Sequence, residues 1–472
     1  MERRGQTPFD LYSTLSTSSQ PSFLLESAKT LSGEPRFSYL GSGPFAVLSS
    51  HTTPISGTAG DPFQLLRRII AGSRIEHSIE LPPFFGGAVG YFSYDFVRHL
   101  EAIPSLALDD LSIPDLQFAL YDLVTAIDHL NDLIHIIFCP PMDRFLGETR
   151  EKLYREGLDR LGEWEAKLTG PKTTGGRLPT IDQLSFRPEQ SREDYLDRVV
   201  RCQQYIAAGD IYQANLSHRF SMEVPDRYQS GSDRLRYNLA LYKLLFRVNP
   251  SPFSGLLNFD NLALVSCSPE RLIRLRGHQL ETRPIAGTRP RGQSPAEDRR
   301  LVEELLTSEK ERAEHLMLVD LERNDLGRVC EFGSVQVDEF MNVEQYSHVS
   351  HIVSNISGIL RQNATPFDLI KAVFPGGTIT GVPKIRCMEI IEELEPVRRG
   401  PYTGSFGYIG WNGNLDLNII IRTLVLSGRK GHLQVGAGIV ADSDPAKEYE
   451  ETLHKAQAFF CSLDQPSPCG SI

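Results

Sequence analysis

The chain has 472 residues, 40% of them hydrophobic, with 60 acidic against 49 basic side chains and a net charge of −11. That length exceeds one simple core and requires two lobes or a composite, and an acidic balance without a basic block excludes a general nucleic-acid binder. No apolar run reaches the roughly 18 residues needed to cross a bilayer, and the N-terminus, with Arg3 and Arg4 but no apolar stretch, is not a secretory signal. The seven cysteines are scattered, with no Cys-x-x-Cys pair. This speaks against a zinc site or a disulfide framework and for a reduced, cytoplasmic protein without a membrane partner.

Residues 8–165 read as a first lobe, with a short apolar run at 45–48 and a glycine-rich stretch at 84–91. The segment 166–190 is rich in Gly, Pro and Thr and reads as a linker; 191–463 reads as a second domain. After Ser191, the spacing of Tyr195, Val199, Cys202 and Ile206 predicts a helix that Gly209 ends. Strands are predicted at 212–220, 254–258, 263–266 and 272–276, and a strand-like 281–284 runs into a turn at Ala286-Gly287-Thr288. Ser294 and Ser308 each open a helix with a capping box, the first with Pro295 at the first helical position. Late strands are predicted at 404–411, 417–426 and 432–435, a last helix from Asp444-Pro445, and a frayed tail from Asp464. Strands and helices intermingle without β-α-β alternation, so the fold class is α+β.

Between Ser266 and Arg328, carboxylates stand beside basic residues and a close-approach glycine, which suggests a site for an anionic small molecule. Glu314 shares a helical stripe with Met317, Leu318 and Leu321. It either pairs with a core arginine or holds a metal, because an unpaired buried charge is costly. On the last helix Glu448, Glu451 and Lys455 project together, and Tyr449, Leu453, Ala456 and Phe460 face the core. Alone, that pattern is a solvated Glu451–Lys455 pair worth about 0.3–0.5 kcal/mol. Two acidic helices in one chain also suit Mg²⁺, which takes one or two carboxylates plus waters and substrate oxygens. The glycine-rich run 375–384 enters a helix with Thr380 or Gly381 as its cap. Its free N–H groups either cradle an anion or simply open the helix, and it is not a phosphate loop because Gly381 lacks a following Lys-Ser/Thr. Gly436 and Gly438 let the backbone approach a ligand or form a bulge. Arg422, alone in an apolar strand, wants a carboxylate in bidentate geometry. A lone histidine such as His351 is more often a satisfied core side chain than a catalyst.

Together these stretches resemble the chorismate-utilising enzymes, strongly over 190–460 and more weakly over 10–165. The motifs at 268–271 (SPER), 283–292 (RPIAGTRPRG), 311–328 (ERAEHLMLVDLERNDLGR), 374–384 (FPGGTITGVPK), 436–443 (GAGIVADS) and 448–455 (EYEETLHK) occur in that family's order. The N-terminal 22–27 (SFLLES) and 83–95 (PFFGGAVGYFSYD) resemble the synthase component I members. The resemblance implies a two-lobed composite in which large, mainly antiparallel sheets pack as a sandwich with helices outside. It implies that Glu314 and Glu451, with Glu448 nearby, hold Mg²⁺ against the ring carboxylate of chorismate, and that Glu270 is the acid that helps the C4 hydroxyl leave. Arg422 and Tyr402 would grip the enolpyruvyl carboxylate, with Gly436 and Gly438 giving backbone contacts. Lys455 and Thr288 would lie around the ring carboxylate, Thr378 would join the substrate-binding set, and His351 would stand on the C4 side. Leu25, Glu26 and Ser27 with Asn249, Pro250 and Phe253 would mark an effector pocket.

The same resemblance bears on the nucleophile and the product. Water-using members carry a Lys base where Gln213 stands, so ammonia is the implied nucleophile. The chain has no Gly-x-Cys-x-Gly nucleophile elbow, which implies that a separate glutamine amidotransferase subunit supplies that ammonia. Ala286 resembles the anthranilate synthases rather than members with Lys there. Residues 212–216, Phe253-Ser254, 375–378 and 403–405 lean instead to the aminodeoxychorismate synthase type. On balance they imply amination at C4 to 4-amino-4-deoxychorismate, for p-aminobenzoate and folate; the alternatives are anthranilate synthase component I, for tryptophan, and a non-catalytic effector-binding subunit, which the presence of Glu270, Glu314 and Glu451 speaks against.

Overall fold

The computed structural model describes residues 3, 5–27, 36–51, 61–73, 75, 80–170, 178–181, 184–292, 294–345 and 349–460. The expected tail from Asp464, the end of the second segment beyond 460 and part of the expected linker lie outside them. Alternating short strands bounded by glycine and proline turns pair into two large sheets of eleven and ten strands, antiparallel at every named pairing. The α+β class and the sandwich of large antiparallel sheets are therefore as the sequence implies.

Both sheets mix the two ends of the chain. Ser22–Glu26 pairs with Phe253–Phe259 in the first sheet, and Gly87–Phe92 pairs with Ser405–Gly410 in the second. An apolar layer between the sheets is built from both, among them Phe23, Tyr39, Leu257 and Leu264 facing Phe84, Tyr91, Phe406 and Tyr408. Outside the first sheet pack Pro8–Leu15, Arg150–Thr169 and Gly231–Val248; outside the second pack Pro62–Gly72, Glu309–Gly327 and Pro366–Val373. The order is helix, sheet, sheet, helix, as expected when each amphipathic face must be covered. Among the described residues, no helix is long and apolar enough to cross a membrane.

Several local expectations shift. The predicted strand 417–426 is two strands, Leu415–Ile419 in the second sheet and Thr423–Ser427 in the first. Residues 420–422 carry the chain across, and Arg422 takes a left-handed φ of 49° there. Ser294 and Ser308 do cap their helices, each accepting from the N–H three residues on. The helix after the glycine-rich run starts at Lys384 with Pro383 as its cap residue, not Thr380 or Gly381. The helix Arg192–Ala207 matches its expected span, and Gly209 follows at φ 83°.

Candidate functional site

The site grows from two corners of the sandwich. Leu262–Ser268 lies in the first sheet and Arg271–Arg276 in the second, so Pro269-Glu270 spans the gap between them. The crossing at 420–422 runs beside it. Ile419 N–H donates to the Glu270 carbonyl at 3.0 Å, and the Ser268 hydroxyl donates to the Ile419 carbonyl at 2.6 Å. Proline at one corner and a left-handed arginine at the other fix where Glu270 and Arg422 meet.

Glu270 is buried, and among the described residues its Oε1 closes no hydrogen bond. Burial pushes its carboxyl up to about 8; the Glu322 carboxylate adds to this, while the Thr378 hydroxyl, the Ile285 backbone and Arg422 pull against it. Thr378 Oγ1 is also without a closed hydrogen bond, so the hydroxyl faces the acid without being committed to it. A carboxyl neutral at pH 7 is a proton donor. His351, on Val349–Ile359, is buried and donates from Nδ1 to the Gly287 carbonyl at 3.2 Å. Burial, then Arg422 and Lys455, hold it down to about 3, so it stays neutral with its lone pair on Nε2. Its strand partner is Thr288, whose backbone lies in Ile285–Pro290 next to Ala286; the side chain of Thr288 is outside the described set.

Gly436 and Gly438 lie on Lys430–Ile439 against Gln213–Glu223. A Cβ at Gly436 would meet Asn215 Oδ1 at 2.6 Å and the Tyr402 hydroxyl at 2.9 Å; one at Gly438 would meet Gln213 Nε2 at 2.5 Å. The glycines thus let polar side chains lie flat on the strand. Lys455 Nζ donates to the Gly436 carbonyl at 2.9 Å and pairs with Glu451 at 2.8 Å. On the last helix Tyr449 and Ala456 are buried and Leu453 and Phe460 pack against the core as expected, with Glu448, Thr452 and Phe459 buried beside them. Glu448 is on the inner side, accepting from the Ser443 hydroxyl at 2.7 Å, and Glu451 is half-exposed.

Glu314 lies at the edge of its helix's buried face, which runs His315, Leu318, Val319, Glu322, Asp325 and Leu326 rather than through Met317 and Leu321. Its neighbour is Lys310 at 3.9 Å, not a core arginine. Burial pushes the Glu314 carboxyl up to about 7; Lys310 opposes, and Glu311, Glu448 and Glu451 push further. The last helix and this one therefore face each other with three carboxylates in one field. Glu448 is likewise held above the usual carboxylate range by burial and by Glu451, whereas Lys455 outweighs desolvation at Glu451 and holds it below. Among the described residues, no three His, Cys, Asp or Glu side chains already converge as a metal cluster. Crowded carboxylates short of cations are the donor chemistry a hard dication takes when water and substrate oxygens complete the shell.

Two buried ionic groups were not singled out from the sequence. Arg399 pairs bidentately with Glu395 at 2.7 and 2.9 Å, both almost fully buried, and donates to the Asn215 and Ile379 carbonyls; its guanidinium lies 5.8 Å from the Tyr402 ring centre. Ser217 N–H and hydroxyl both donate to Glu395 at 2.8 Å. This group ties the strand under Gly436 to the turn bearing Thr378 and to Tyr402. The other is Glu322 with Asp325 and Lys384, taken up below. For Glu322 and Asp325 the available signal was a polar pair at i, i+3 within an apolar stripe; Glu395 and Arg399 stand at i, i+4 just past the end of the helix Lys384–Leu394.

A separate cavity of about 1010 Å³ opens between the sheets. Leu25, Glu26, Ser27 and Phe253 line it, and Asn249 and Pro250 do not. Asn249 ends the helix Gly231–Val248 instead. Glu26 accepts from the Tyr242 hydroxyl at 2.8 Å, and Arg271 lies over the Phe253 ring at 4.8 Å. None of Glu270, Glu314, Arg422 and Glu451 lines this space.

Keeping one carboxyl protonated beside an arginine is useful to an enzyme that expels a poor leaving group from an anionic substrate. The chain belongs to the chorismate binding enzymes, whose family model matches residues 20–460. It is 45% identical to a Thermus thermophilus protein named anthranilate synthase component 1, over 97% of this chain and 96% of that one. It is 42% identical to a Bacillus subtilis protein named aminodeoxychorismate synthase component 1, over 96% and 94%. The crystal structure of anthranilate synthase component I from Streptococcus pneumoniae superposes with a TM-score of 0.80 at 31% identity, covering 98% of this chain and 99% of that one.

Proposed function

We propose that the chain is component I of an anthranilate synthase: it aminates chorismate with ammonia from a separate glutamine amidotransferase and releases pyruvate and water. The observation that carries this reading is the near full-length match to the Thermus thermophilus protein of that name. Ala286, standing where the aminodeoxychorismate type often has Lys, agrees with it. The features that leaned to C4 amination, at 212–216, 253–254, 375–378 and 403–405, support the second reading, aminodeoxychorismate synthase component I. The Bacillus subtilis relative favours that reading too.

In either case the residues have the same work. Glu270, neutral up to about pH 8, gives its proton to the departing C4 hydroxyl, which leaves as water. Arg422 and Tyr402 hold the enolpyruvyl carboxylate, Gly436 and Gly438 supply backbone contacts, and Lys455 with Thr288 borders the ring carboxylate. Glu314, Glu448 and Glu451 are the side chains that would hold Mg²⁺. When bound, the ion supplies positive charge for the ring carboxylate. Burial holds the thiols of Cys139, Cys202, Cys267, Cys330 and Cys387 above their usual range, the wrong direction for a thiolate that attacks glutamine. A cytoplasmic location fits this reading.

The test is product analysis with chorismate, Mg²⁺ and ammonium. Fluorescent anthranilate with one pyruvate per turnover is expected, and glutamine in place of ammonium should give no product from this chain alone. Aminodeoxychorismate without pyruvate would move the assignment to the second reading. Tryptophan is expected to inhibit weakly or not at all, because Phe253-Ser254 replaces the Tyr-Met that helps bind it in related enzymes. Initial rates at rising tryptophan check this, and strong inhibition would show that the cavity beside Phe253 accepts it.

A further inference from the structure

The buried face of Glu309–Gly327 carries two acids that none of these roles uses, Glu322 and Asp325. Lys384 is hydrogen-bonded to the Asp325 carboxylate and donates to the Val373 carbonyl at 3.2 Å. Glu322 faces the turn that carries Thr378. Gly377 N–H donates to Glu322 Oε1 at 3.2 Å. A Cβ on Gly377 would run into Leu321 and come within 3.2 Å of that same oxygen, so glycine is what lets the turn sit on the carboxylate. On the other side Thr282 Oγ1, 3.4 Å from Glu322 Oε2, donates to the Leu272 carbonyl at 2.9 Å. The next residue after Gly377 is Thr378, whose hydroxyl faces Glu270. Glu322 therefore reaches the proposed acid by two routes, through the backbone of the turn and through its own charge.

We propose that Glu322 is a positioning residue for Glu270: it anchors the turn that sets Thr378 against the acid, and its negative charge opposes a second charge on that acid. This rests on Glu270 being the proton donor of the proposed amination. The groups bearing on the pair are Arg422 on Glu270, and Asp325 and Lys384 on Glu322. Burial and Asp325 hold Glu322 above the usual carboxylate range, with Lys384 opposing, and burial and Glu322 hold Glu270 above it as well. A charge on either member disfavours a charge on the other, so the pair holds on to a proton that isolated carboxyls would lose.

Glu322→Gln keeps an amide oxygen for Gly377 N–H and removes the charge. Glu270 should then ionise at lower pH. The alkaline limb of kcat is expected to move down by about half a pH unit or more, with KM for chorismate near the wild-type value. A limb and a kcat both at wild-type values overturn the proposal. Near-UV circular dichroism checks the fold. If Glu322→Gln does not fold, Gly377→Ala carries the test. It pushes the turn off the carboxylate and should cost about tenfold or more in kcat with the limb in place; a wild-type kcat there overturns the anchoring role. Product identity is scored in every variant. A product other than anthranilate counts against the proposed function, whereas the alkaline limb and kcat decide the role of Glu322.

Discussion

Glu270→Gln is expected to lower kcat by about 10²–10⁴-fold, the usual worth of a general acid, while KM for chorismate changes little. Glutamine has nearly the same shape and fits the same corner, so Pro269 and the crossing strand still place it; what it lacks is the proton. The pH dependence makes the test sharper. Burial and Glu322 push the Glu270 carboxyl up to about 8, so the acid form is present below that pH and lost as pH rises through it. Free ammonia rises over the same range. Expressed per free ammonia, the wild-type rate should therefore fall above about pH 8, and that limb should be absent from the variant. A variant that raises KM and leaves kcat intact would show that Glu270 only binds substrate.

The location of this acid was partly legible in the sequence. Short alternating strands, serine caps and turn glycines gave the α+β class and most element positions, because those signals are local. Glu270 and Arg422 could be named through the resemblance, but not placed. A chain that crosses from one sheet to the other keeps the apolar pattern of a continuous strand, so 417–426 reads as one element. Only the pairing partners, Arg271–Arg276 on one side and Leu262–Ser268 on the other, break it in two. The inner face of the helix Glu309–Gly327 lies about one position from where the apolar spacing puts it, and that of the last helix is wider than its apolar residues alone. In each case a polar side chain, Glu322 in one and Thr452 in the other, occupies a buried position that its polarity, not its spacing, assigns to the surface. Glu322 and Glu395 went unused for the same reason: their partners, Gly377 N–H and Ser217, come from distant segments that only the fold brings together. The choice between two synthases turned on a few positions around a shared site, and relatives of both names match this chain over nearly its full length.

Mg²⁺ is expected to raise the Tm of the wild type, and Glu314→Gln to abolish turnover at every Mg²⁺ concentration and to remove that rise. The three carboxylates on the facing helices disfavour each other's charge, and the nearby cations, Lys310 at 3.9 Å from Glu314 and Lys455 at 2.8 Å from Glu451, do not keep Glu314 in its usual range. A dication would relieve that repulsion. An ion that binds only the folded chain then stabilises it by about 2.7 kcal/mol at a hundred times its Kd. Glutamine at 314 removes a negative ligand and the repulsion together, so the folded chain should lose little stability without metal and gain little with it. Glu451→Gln should behave in the same way, since it faces the same field. Glu450→Gln, one residue along on the exposed side of the helix, is the control and should keep both the activity and the Mg²⁺ response. Thermal unfolding with and without Mg²⁺ reads the binding apart from the chemistry. If Glu314→Gln keeps the wild-type rise in Tm while losing activity, the ion is held elsewhere and Glu314 serves the substrate directly.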